Sequence, residues 1–347
     1  MRLERDTGEW LKGSGPESDI VISSRIRLAR NLQGYAFRTK LAPAARIALE
    51  QKLHEAIDAA GLPEKVRYSR LDEFPEVDRQ YLLERHLISR EHAGGEGARG
   101  VAVTASENIS IMTLEEDHLR LQVLRSGLDL DACWTEIDRL DDRLEEHLTY
   151  AFDPELGYLT ACPTNVGTGI RVSVMLHLPG LVLTQHIERM FRSIVRISLV
   201  VRGLYGEGTQ ASGDFFQVSN QVTLGQTERQ IIDEFKQFVP RIIDYERKVR
   251  EKLLTSDRER IEDRVSRACG TLRSARTISS AEAMEKLSLV RLGVNMGLIP
   301  DLEIGAVNSI FINAQPAHII KRAGRAMDAE ERDVARARYI QEEMGSN

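Results

Sequence analysis

The sequence has few cysteines and no long hydrophobic run. Cys133, Cys162 and Cys269 form neither a CxxC pair nor an even framework, which excludes a disulfide-stapled secreted domain. The N-terminal MRLERDTGEW has no apolar signal-peptide segment, and no stretch approaches the roughly 18 apolar residues of a membrane span. We therefore expect a reduced, cytoplasmic protein that does not bind a membrane.

The chain also lacks excess positive charge and the common nucleotide-binding signatures. A net charge of -6 and a pI near 5.9 argue against nucleic acid as a direct partner, because phosphate-backbone binding needs a basic face. Walker A, HRD and DFG motifs are absent, and the GxGxxG at residues 95–100 precedes a strand-like VAVT instead of following one. We interpret it as a turn. Any phosphoryl transfer must use other parts.

The chain is long enough for two domains, at 347 residues with 42% hydrophobic and 29% charged composition. Amphipathic periodicity predicts helices over residues 43–60, 77–89, 129–148 and 184–196, and a long helix from about 226 that is interrupted near Pro240. Short strand-like runs lie between them. After Ser256 the pattern predicts only helices, over 257–275, 280–296, 302–322 and 328–344.

The stretch at 158–175, YLTACPTNVGTGIRVSVM, predicts a tightly shaped loop followed by a strand. Gly167 and Gly169 permit backbone conformations that other residues avoid, so the loop could turn several N–H groups toward one anion. Arg171 would add a fork of charged donors, and phosphate is the expected guest. Cys162, beside Pro163, would face a cleft. The alternative is an ordinary hairpin with a core cysteine.

Arginines and acids recur at the ends of other strand-like runs. In SSRIRLAR, the alternation of Arg25, Ile26 and Arg27 on an extended segment places both guanidinium groups on one side. In EEDHLR, Glu116 lies at a turn before a strand that carries Arg120, although a solvated acidic loop is the alternative.

A third such place is the glycine-rich RGLYGEGT, a loop of the kind that closes over substrates. Arg202 and Glu207 lie at its two ends. Five arginines suit a triphosphate and its charge-spread transition state, whereas two glutamates suit a cation. The residues therefore indicate transfer of phosphate from ATP to a guanidinium.

The four motifs SSRIRLAR, EEDHLR, CPTNVGTG with IRVSV, and RGLYGEGT follow the order and spacing of the phosphagen kinase, or ATP:guanidino phosphotransferase, family. The resemblance implies an α+β catalytic domain over residues 1–254, with an antiparallel sheet flanked by helices. It implies binding of ATP and Mg²⁺, the metal being held mainly through the phosphates. The ATP-binding residues that it implies, to which we add His86, are Ser23, Ser24, Arg25, Ile26, Arg27, Arg120, Arg171, Val172, Ser173, Val174, Met175, Arg202, Gly203, Leu204, Tyr205 and Gly206.

The resemblance also implies catalytic roles. Glu116 would engage the guanidinium, and Cys162 would lie beside the substrate and be sensitive to oxidation. We assign the role of the second carboxylate to Glu207, because the family's own position for it is Gln210 here. Two positions depart from the family: Tyr205 replaces a phosphate-binding arginine, and Gln210 replaces a substrate-facing glutamate. Creatine and arginine kinases also have an N-terminal helical domain that encloses the small substrate, and we expect no such lid here, because only about twenty residues precede SSRIR. An open cleft can admit an arginine that is still part of a polypeptide.

The helical segment 255–347 resembles that of the bacterial protein-arginine kinases within this family. It contains RDVARA, in which Arg332, Asp333 and Arg336 lie on one helical face, although an exposed, salt-bridged helix is the alternative. The resemblance implies dimerisation and allosteric binding of phosphoarginine. It also implies partners: a Clp-type protease, a heat-shock repressor and an activator protein. A free-guanidine phosphagen kinase and a non-catalytic phosphoarginine-binding adaptor remain alternative functions.

Overall fold

The computed structural model describes residues 8–62, 64–195, 199–203 and 213–345. Its centre is an eight-stranded antiparallel sheet with strand order β2-β3-β4-β5-β1-β8-β10-β9, and β6 and β7 form a separate hairpin. The strands are β1 (Val21–Arg30), β2 (Val66–Arg70), β3 (Gly100–Thr104), β4 (Ile109–Thr113), β5 (Leu119–Ser126), β6 (Phe152–Asp153), β7 (Gly157–Tyr158), β8 (Ile170–His177), β9 (Leu199–Gly203) and β10 (Phe215–Asn220).

Helices precede, connect and follow these strands, and the segment beyond β10 is helical, which confirms the predicted α+β class. No described helix is long and apolar enough to cross a bilayer. The helices are α1 (Pro43–Ala59), α2 (Glu76–Glu84), α3 (Arg90–Gly94), α4 (Leu130–Glu145), α5 (Pro179–Leu183), α6 (Ile187–Val195), α7 (Glu228–Ser256), α8 (Arg258–Ser274), α9 (Ser280–Asn295), α10 (Ile304–Asn313), α11 (Pro316–Ala323) and α12 (Ala329–Gly345).

The two faces of the sheet differ in chemistry because side chains alternate along each strand. On β1, Ile26 and Leu28 belong to the main hydrophobic core, and on β8 Val172 and Val174 join them. Helices α4 and α7 cover this face. The intervening positions, such as Arg27, project to the opposite face, where the site lies.

The C-terminal helices pack against the far end of that opposite face. Ile22, Leu124 and Met175 from the sheet enter a second apolar cluster with residues of α8 to α12. The buried guanidinium of Arg291 on α9 donates to the backbone oxygens of residues 18 and 19, at 2.6 and 3.0 Å, and contacts His177 Nδ1 at 2.9 Å. The helical segment is therefore anchored to the sheet and to the segment preceding β1.

Two helix predictions are wrong at proline positions. Helix α7 continues through Pro240, because its long apolar face is buried and packing outweighs one lost backbone hydrogen bond. The predicted helix over 302–322 is instead two helices, since Pro316 starts α11 as its first residue. The predicted 184–196 helix corresponds to α6 (Ile187–Val195), and the separate short helix α5 (Pro179–Leu183) lies before it.

Candidate active site

Five arginines from three central strands and one edge strand line a single cleft of about 490 Å³, a volume that suits a nucleotide-sized ligand. Strand register brings them together: Arg27 on β1 lies opposite Arg171 on β8, and Arg120 on β5 lies opposite Ala29. Directly opposed residues share a face of the sheet. The structure thus confirms the predicted clustering of the five, which are Arg25, Arg27, Arg120, Arg171 and Arg202.

The positive charges of Arg25 and Arg27 are poorly compensated by the protein, as their lowered pKa values indicate. Burial, together with repulsion from Arg120, Arg171 and Arg202, lowers the pKa of Arg25 to about 9. Burial and repulsion from its arginine neighbours likewise lower the pKa of Arg27 well below its usual range. The buried Nε of Arg27 has no hydrogen-bond acceptor in the described part of the chain. Such a cluster has the chemistry of a polyanion site.

Three neighbouring carboxylates in the acidic turn that precedes β5, those of Glu115, Glu116 and Asp117, have different roles. Glu115 is buried, pairs with Arg120 and accepts a hydrogen bond from Ser89 Oγ. Burial raises the pKa of Glu115, but Arg120, Ser89 and the Glu116 N–H outweigh burial and lower it to about 2. Glu115 therefore remains ionised and fixes Arg120, a role that the sequence reading did not assign.

Glu116 is the carboxylate of this turn that is exposed to the cleft. Burial and repulsion from Asp117 raise its pKa, with smaller contributions of the same sign from Glu115 and Glu91, while Arg120 acts in the opposite direction. A carboxylate with a raised pKa is a better proton acceptor than an ordinary surface glutamate. Cys162 and Thr164 line the same cleft, with Cys162 Sγ 3.0 Å from Thr164 Oγ1.

Asp117, the third acid, connects the acidic turn to the loop that carries Cys162. Its buried Oδ1 accepts hydrogen bonds from Asn31 Nδ2 at 2.6 Å and from the backbone N–H of Ala161 at 2.7 Å. Asn31 in turn accepts from the N–H of His118 at 2.9 Å. The positions of Glu116 and Cys162 are therefore set by one hydrogen-bonded network.

The glycines after Cys162 permit close packing of backbone segments. Gly167 has φ +111°, and a Cβ there would lie 2.8 Å from the carbonyl oxygen of Thr223. Gly169 has φ +66°, and a Cβ there would likewise lie too close to the carbonyl oxygen of Ala29. Neither glycine is among the residues that line the cleft. The prediction that this loop cradles phosphate with its own glycine N–H groups is wrong, because the arginines provide the anion-binding surface.

His86 lies at the cleft, as predicted, although it is almost fully buried. Burial, with a contribution from Arg25, lowers its pKa to about 3, so the imidazole is neutral at physiological pH. It has φ +57°, and Trp10 packs edge-on to its ring at a centroid distance of 5.3 Å. A neutral imidazole suits contact with a nucleotide base or sugar better than contact with a phosphate.

Four of the predicted ATP-binding side chains do not face the cleft, because strand alternation turns them to the core. Ser24 Oγ donates to the carbonyl oxygen of Gly127 at 2.8 Å, behind the sheet. The other three, Ile26, Val172 and Val174, belong to the main hydrophobic core. Their side chains therefore point away from the cleft in which we expect the nucleotide.

The remaining predicted nucleotide contacts on the strands are buried too. Ser23 is buried beside a bulge in β1, and Met175 packs in the cluster formed with the C-terminal helices. Ser173 accepts a hydrogen bond from Arg25 Nε at 3.2 Å and so supports an arginine. Gly203 ends β9. Outside the described residues lie Leu204, Tyr205, Gly206, Glu207 and Gln210.

In the C-terminal motif, the structure separates the three residues that sequence reading grouped as ligands. Arg336 is 1% exposed and donates from Nε to the Ala314 carbonyl and from a terminal nitrogen to the Ile278 carbonyl, both at 2.8 Å. It also pairs with Asp333. Arg336 is therefore a buried structural anchor, whereas Arg332 and Asp333 are half-buried and reachable.

Sequence reading missed several side chains at the cleft. Most of them lie outside the strand motifs, whereas Glu115 and Asn165 lie within motifs but were assigned no role. The missed side chains come from the turn after β1, from the end of α2 through α3, from the acidic turn before β5, from the short helical turn after Cys162, and from β10. The sequence offered one signal, arginines next to predicted helices. Arg38 lies before the predicted 43–60 helix, and Arg90 directly follows the predicted 77–89 helix. The missed lining residues include Arg38, Thr39, Ser89, Arg90, Glu91, Glu115, Asn165 and Gln217.

Comparison with known proteins gives matches over both parts of the chain. Residues 48–249 match the model described as the ATP:guanido phosphotransferase C-terminal catalytic domain, and residues 258–347 match the protein-arginine kinase McsB C-terminal domain. A protein-arginine kinase of Symbiobacterium thermophilum is 48% identical over 97% of each chain. One of Halothermothrix orenii is 45% identical, again over 97% of each.

Among solved structures, the duplicated taurocyamine kinase of Schistosoma mansoni with bound transition-state-analogue components is similar at 30% identity and a TM-score of 0.62. The match covers 67% of this chain and 34% of that longer, duplicated one.

Proposed function

The chain belongs to the ATP:guanido phosphotransferase family and is a phosphotransferase, and from this premise we propose that it phosphorylates arginine residues in proteins. The observation that carries the proposal is a cleft with a cationic wall of five arginines and an anionic, reactive end at Glu116. The carboxylate end fits a guanidinium, and the arginine wall fits the phosphates of ATP. The names of the full-length relatives support arginine in proteins as the acceptor.

In the proposed reaction, the arginines bind and orient the phosphates and offset the charge that spreads over the transferring group. Glu116 accepts hydrogen bonds from the substrate guanidinium, points one terminal nitrogen at the γ-phosphate, and accepts its proton. The N–P bond forms as the bond to ADP breaks. Cys162, beside Glu116 in the cleft, contacts the guanidinium from the other loop.

Magnesium enters this proposal with the nucleotide. The described residues contain no group of three or more His, Cys, Asp or Glu side chains placed to hold a metal ion, so phosphate oxygens would supply most of its ligands. The ion would neutralise charge on the transferring phosphate. The protein residues that act beside it are the arginines of the cleft.

A comparison of acceptors tests the proposal. The purified chain is incubated with ATP and either an unfolded protein or free arginine, and acid-labile phosphate on nitrogen is quantified. We expect turnover on the protein. Turnover on free arginine alone would favour the small-guanidine phosphagen kinase. No turnover on either, with retained phosphoarginine binding, would favour the non-catalytic adaptor.

We further propose that phosphoarginine binds at Arg332 and Asp333 and regulates the cleft. A chain of contacts supports this. Arg336 holds the carbonyl of Ala314, just before α11, and the first N–H groups of α11 bind the buried carboxylate of Glu84 at 3.0 to 3.3 Å. Glu84 ends α2, two residues before His86. A shift of α11 would therefore be transmitted to the nucleotide end of the cleft.

The cellular role is proposed on the same premise. Arginine phosphorylation would mark proteins for a Clp-type protease and would regulate a heat-shock repressor, with an activator protein and dimerisation adjusting the activity during stress. A cytoplasmic location fits three free cysteines. Pull-down of a Clp unfoldase with substrate phosphorylated by this enzyme, but not with unphosphorylated substrate, tests the first of these roles.

A further inference from the structure

Exposed large hydrophobic side chains are unevenly distributed over this protein. The described part of the chain has eight of them, and six lie on three segments that border the Glu116 and Cys162 end of the cleft. The other two are Ile47 on α1 and Val334 on α12. We call the six residues the apolar rim: Tyr35, Phe37, Phe152, Leu156, Val222 and Leu224.

The first segment of the apolar rim is bound to the acidic turn. His118, two residues after Glu116, has its Nε2 3.0 Å from the carbonyl oxygen of Ala36. The ring of Tyr35 packs edge-on to the His118 ring at a centroid distance of 6.2 Å. Tyr35 and Phe37, which are 40% and 36% exposed, therefore flank the turn that carries Glu116.

The other two segments are bound to the loop that carries Cys162. In the β6–β7 hairpin, which exposes Phe152 and Leu156, the N–H of Tyr158 donates to the Gly167 carbonyl at 2.8 Å. Between Val222 and Leu224, Thr223 Oγ1 donates to the Thr164 carbonyl at 3.0 Å and to the Val166 carbonyl at 2.7 Å.

We infer that the apolar rim binds large apolar side chains of the substrate polypeptide that lie within a few residues of the target arginine. This inference rests on the proposed function and names its substrate class. Glu116 and Glu91 line the cleft where the guanidinium would bind, and the apolar rim lies on segments that contact the acidic turn and the Cys162 loop, so one ligand would present a cation flanked by apolar groups. An unfolded segment does so, because folding would bury the apolar residues.

The test uses two synthetic peptides of equal length and net charge, each with one central arginine flanked either by leucine and phenylalanine or by serine and asparagine. Phosphoarginine formation gives kcat/KM for each peptide with wild type, Leu224→Ser, Phe152→Ser and the control Ile47→Ser. Ile47 is a matched control because it is 52% exposed, against 50% for Leu224, and lies outside the rim. Thermal unfolding and sedimentation of each variant verify folding and oligomeric state.

We expect wild type to favour the apolar-flanked peptide by about tenfold or more, since partial burial of one large apolar side chain is worth about that factor. Leu224→Ser and Phe152→Ser should each bring the ratio of the two peptides closer to one, mainly through KM, while Ile47→Ser retains the wild-type ratio.

Equal kcat/KM for both peptides in wild type, or equal losses on both peptides in the rim variants, would overturn the inference and leave the proposed function intact. A changed oligomeric state with an unchanged peptide ratio would make the rim a self-association surface instead and would also overturn it. Absence of phosphoarginine from both peptides and from an unfolded protein would refute the proposed function itself.

Discussion

Replacing Arg25 by methionine should stabilise the protein without nucleotide and abolish its stabilisation by nucleotide. A pKa lowered from 12.5 to about 9 means that the surroundings of Arg25 raise the free energy of its charged form by about 5 kcal/mol, at about 1.4 kcal/mol per pKa unit. Side-chain relaxation and counterions reduce this effect, and the hydrogen bond to Ser173 is lost. We therefore expect Arg25→Met to raise the free energy of unfolding by about 1–3 kcal/mol.

The assay is chemical denaturation with and without Mg-ATP. At a ligand concentration about a hundredfold above Kd, wild type should gain about 2.7 kcal/mol and Arg25→Met almost nothing, so nucleotide shifts the stability difference between the two proteins by about 2.7 kcal/mol in favour of wild type. Arg85→Met is the matched control. Arg85 is also buried but is paired with Glu107, so its loss leaves an uncompensated carboxylate and should cost about 3–5 kcal/mol.

If Arg25→Met destabilises the nucleotide-free protein as Arg85→Met does, then the arginine cluster is not electrostatically frustrated. The interpretation of the cleft as a polyanion site would then lose its physical basis.

Four further predictions address the acids and the C-terminal motif. Glu116→Gln should lower kcat on protein arginine by about 10²–10³ and leave ATP affinity, measured by calorimetry, within about threefold; retained kcat would exclude Glu116 as the proton acceptor. Because its pKa is raised, Glu116 is ionised and active only above that pKa, so kcat/KM should fall with decreasing pH at a value above the usual 4.3 or so of glutamate. Glu91→Gln should shift this acidic limb of the pH profile of kcat/KM to lower pH, because Glu91 contributes to the raised pKa of Glu116. If the limb does not shift, a group other than Glu116 causes it. Arg336→Ala should destabilise the protein by about 3 kcal/mol, since two buried carbonyls lose their donor, whereas Arg332→Ala should cost less than about 1 kcal/mol. Asp333→Asn should remove any change in kinase rate on adding free phosphoarginine, and an unaltered response would place that ligand elsewhere.

Sequence patterns predicted those parts of the site that depend on strand alternation and on motif spacing. The common facing of Arg25 and Arg27 follows from their separation by two residues on a strand. The same rule turns the side chains of Ile26, Val172 and Val174 to the core, which the motif match alone did not reveal.

Other features depend on contacts between distant parts of the chain, which no local pattern encodes. Glu115 and Glu116 are adjacent and chemically identical, yet Arg120 and Ser89 immobilise the first and leave the second at the cleft. Arg336 has the sequence features of a surface ligand, but the packing of α12 against Ala314 and Ile278 buries it. Pro240 reads as a helix break, and only the buried face of α7 shows why the helix continues.

The central claim is that ATP phosphate and a peptide-borne guanidinium meet between the arginine wall and Glu116. The most direct measurement is mass spectrometry of an unfolded protein after incubation with this enzyme and Mg-ATP, under conditions that preserve N–P bonds. We predict acid-labile phosphate on arginine with wild type and at least about a hundredfold less with Glu116→Gln. Phosphate on hydroxyl side chains alone, or equal arginine phosphorylation by both enzymes, would contradict the account.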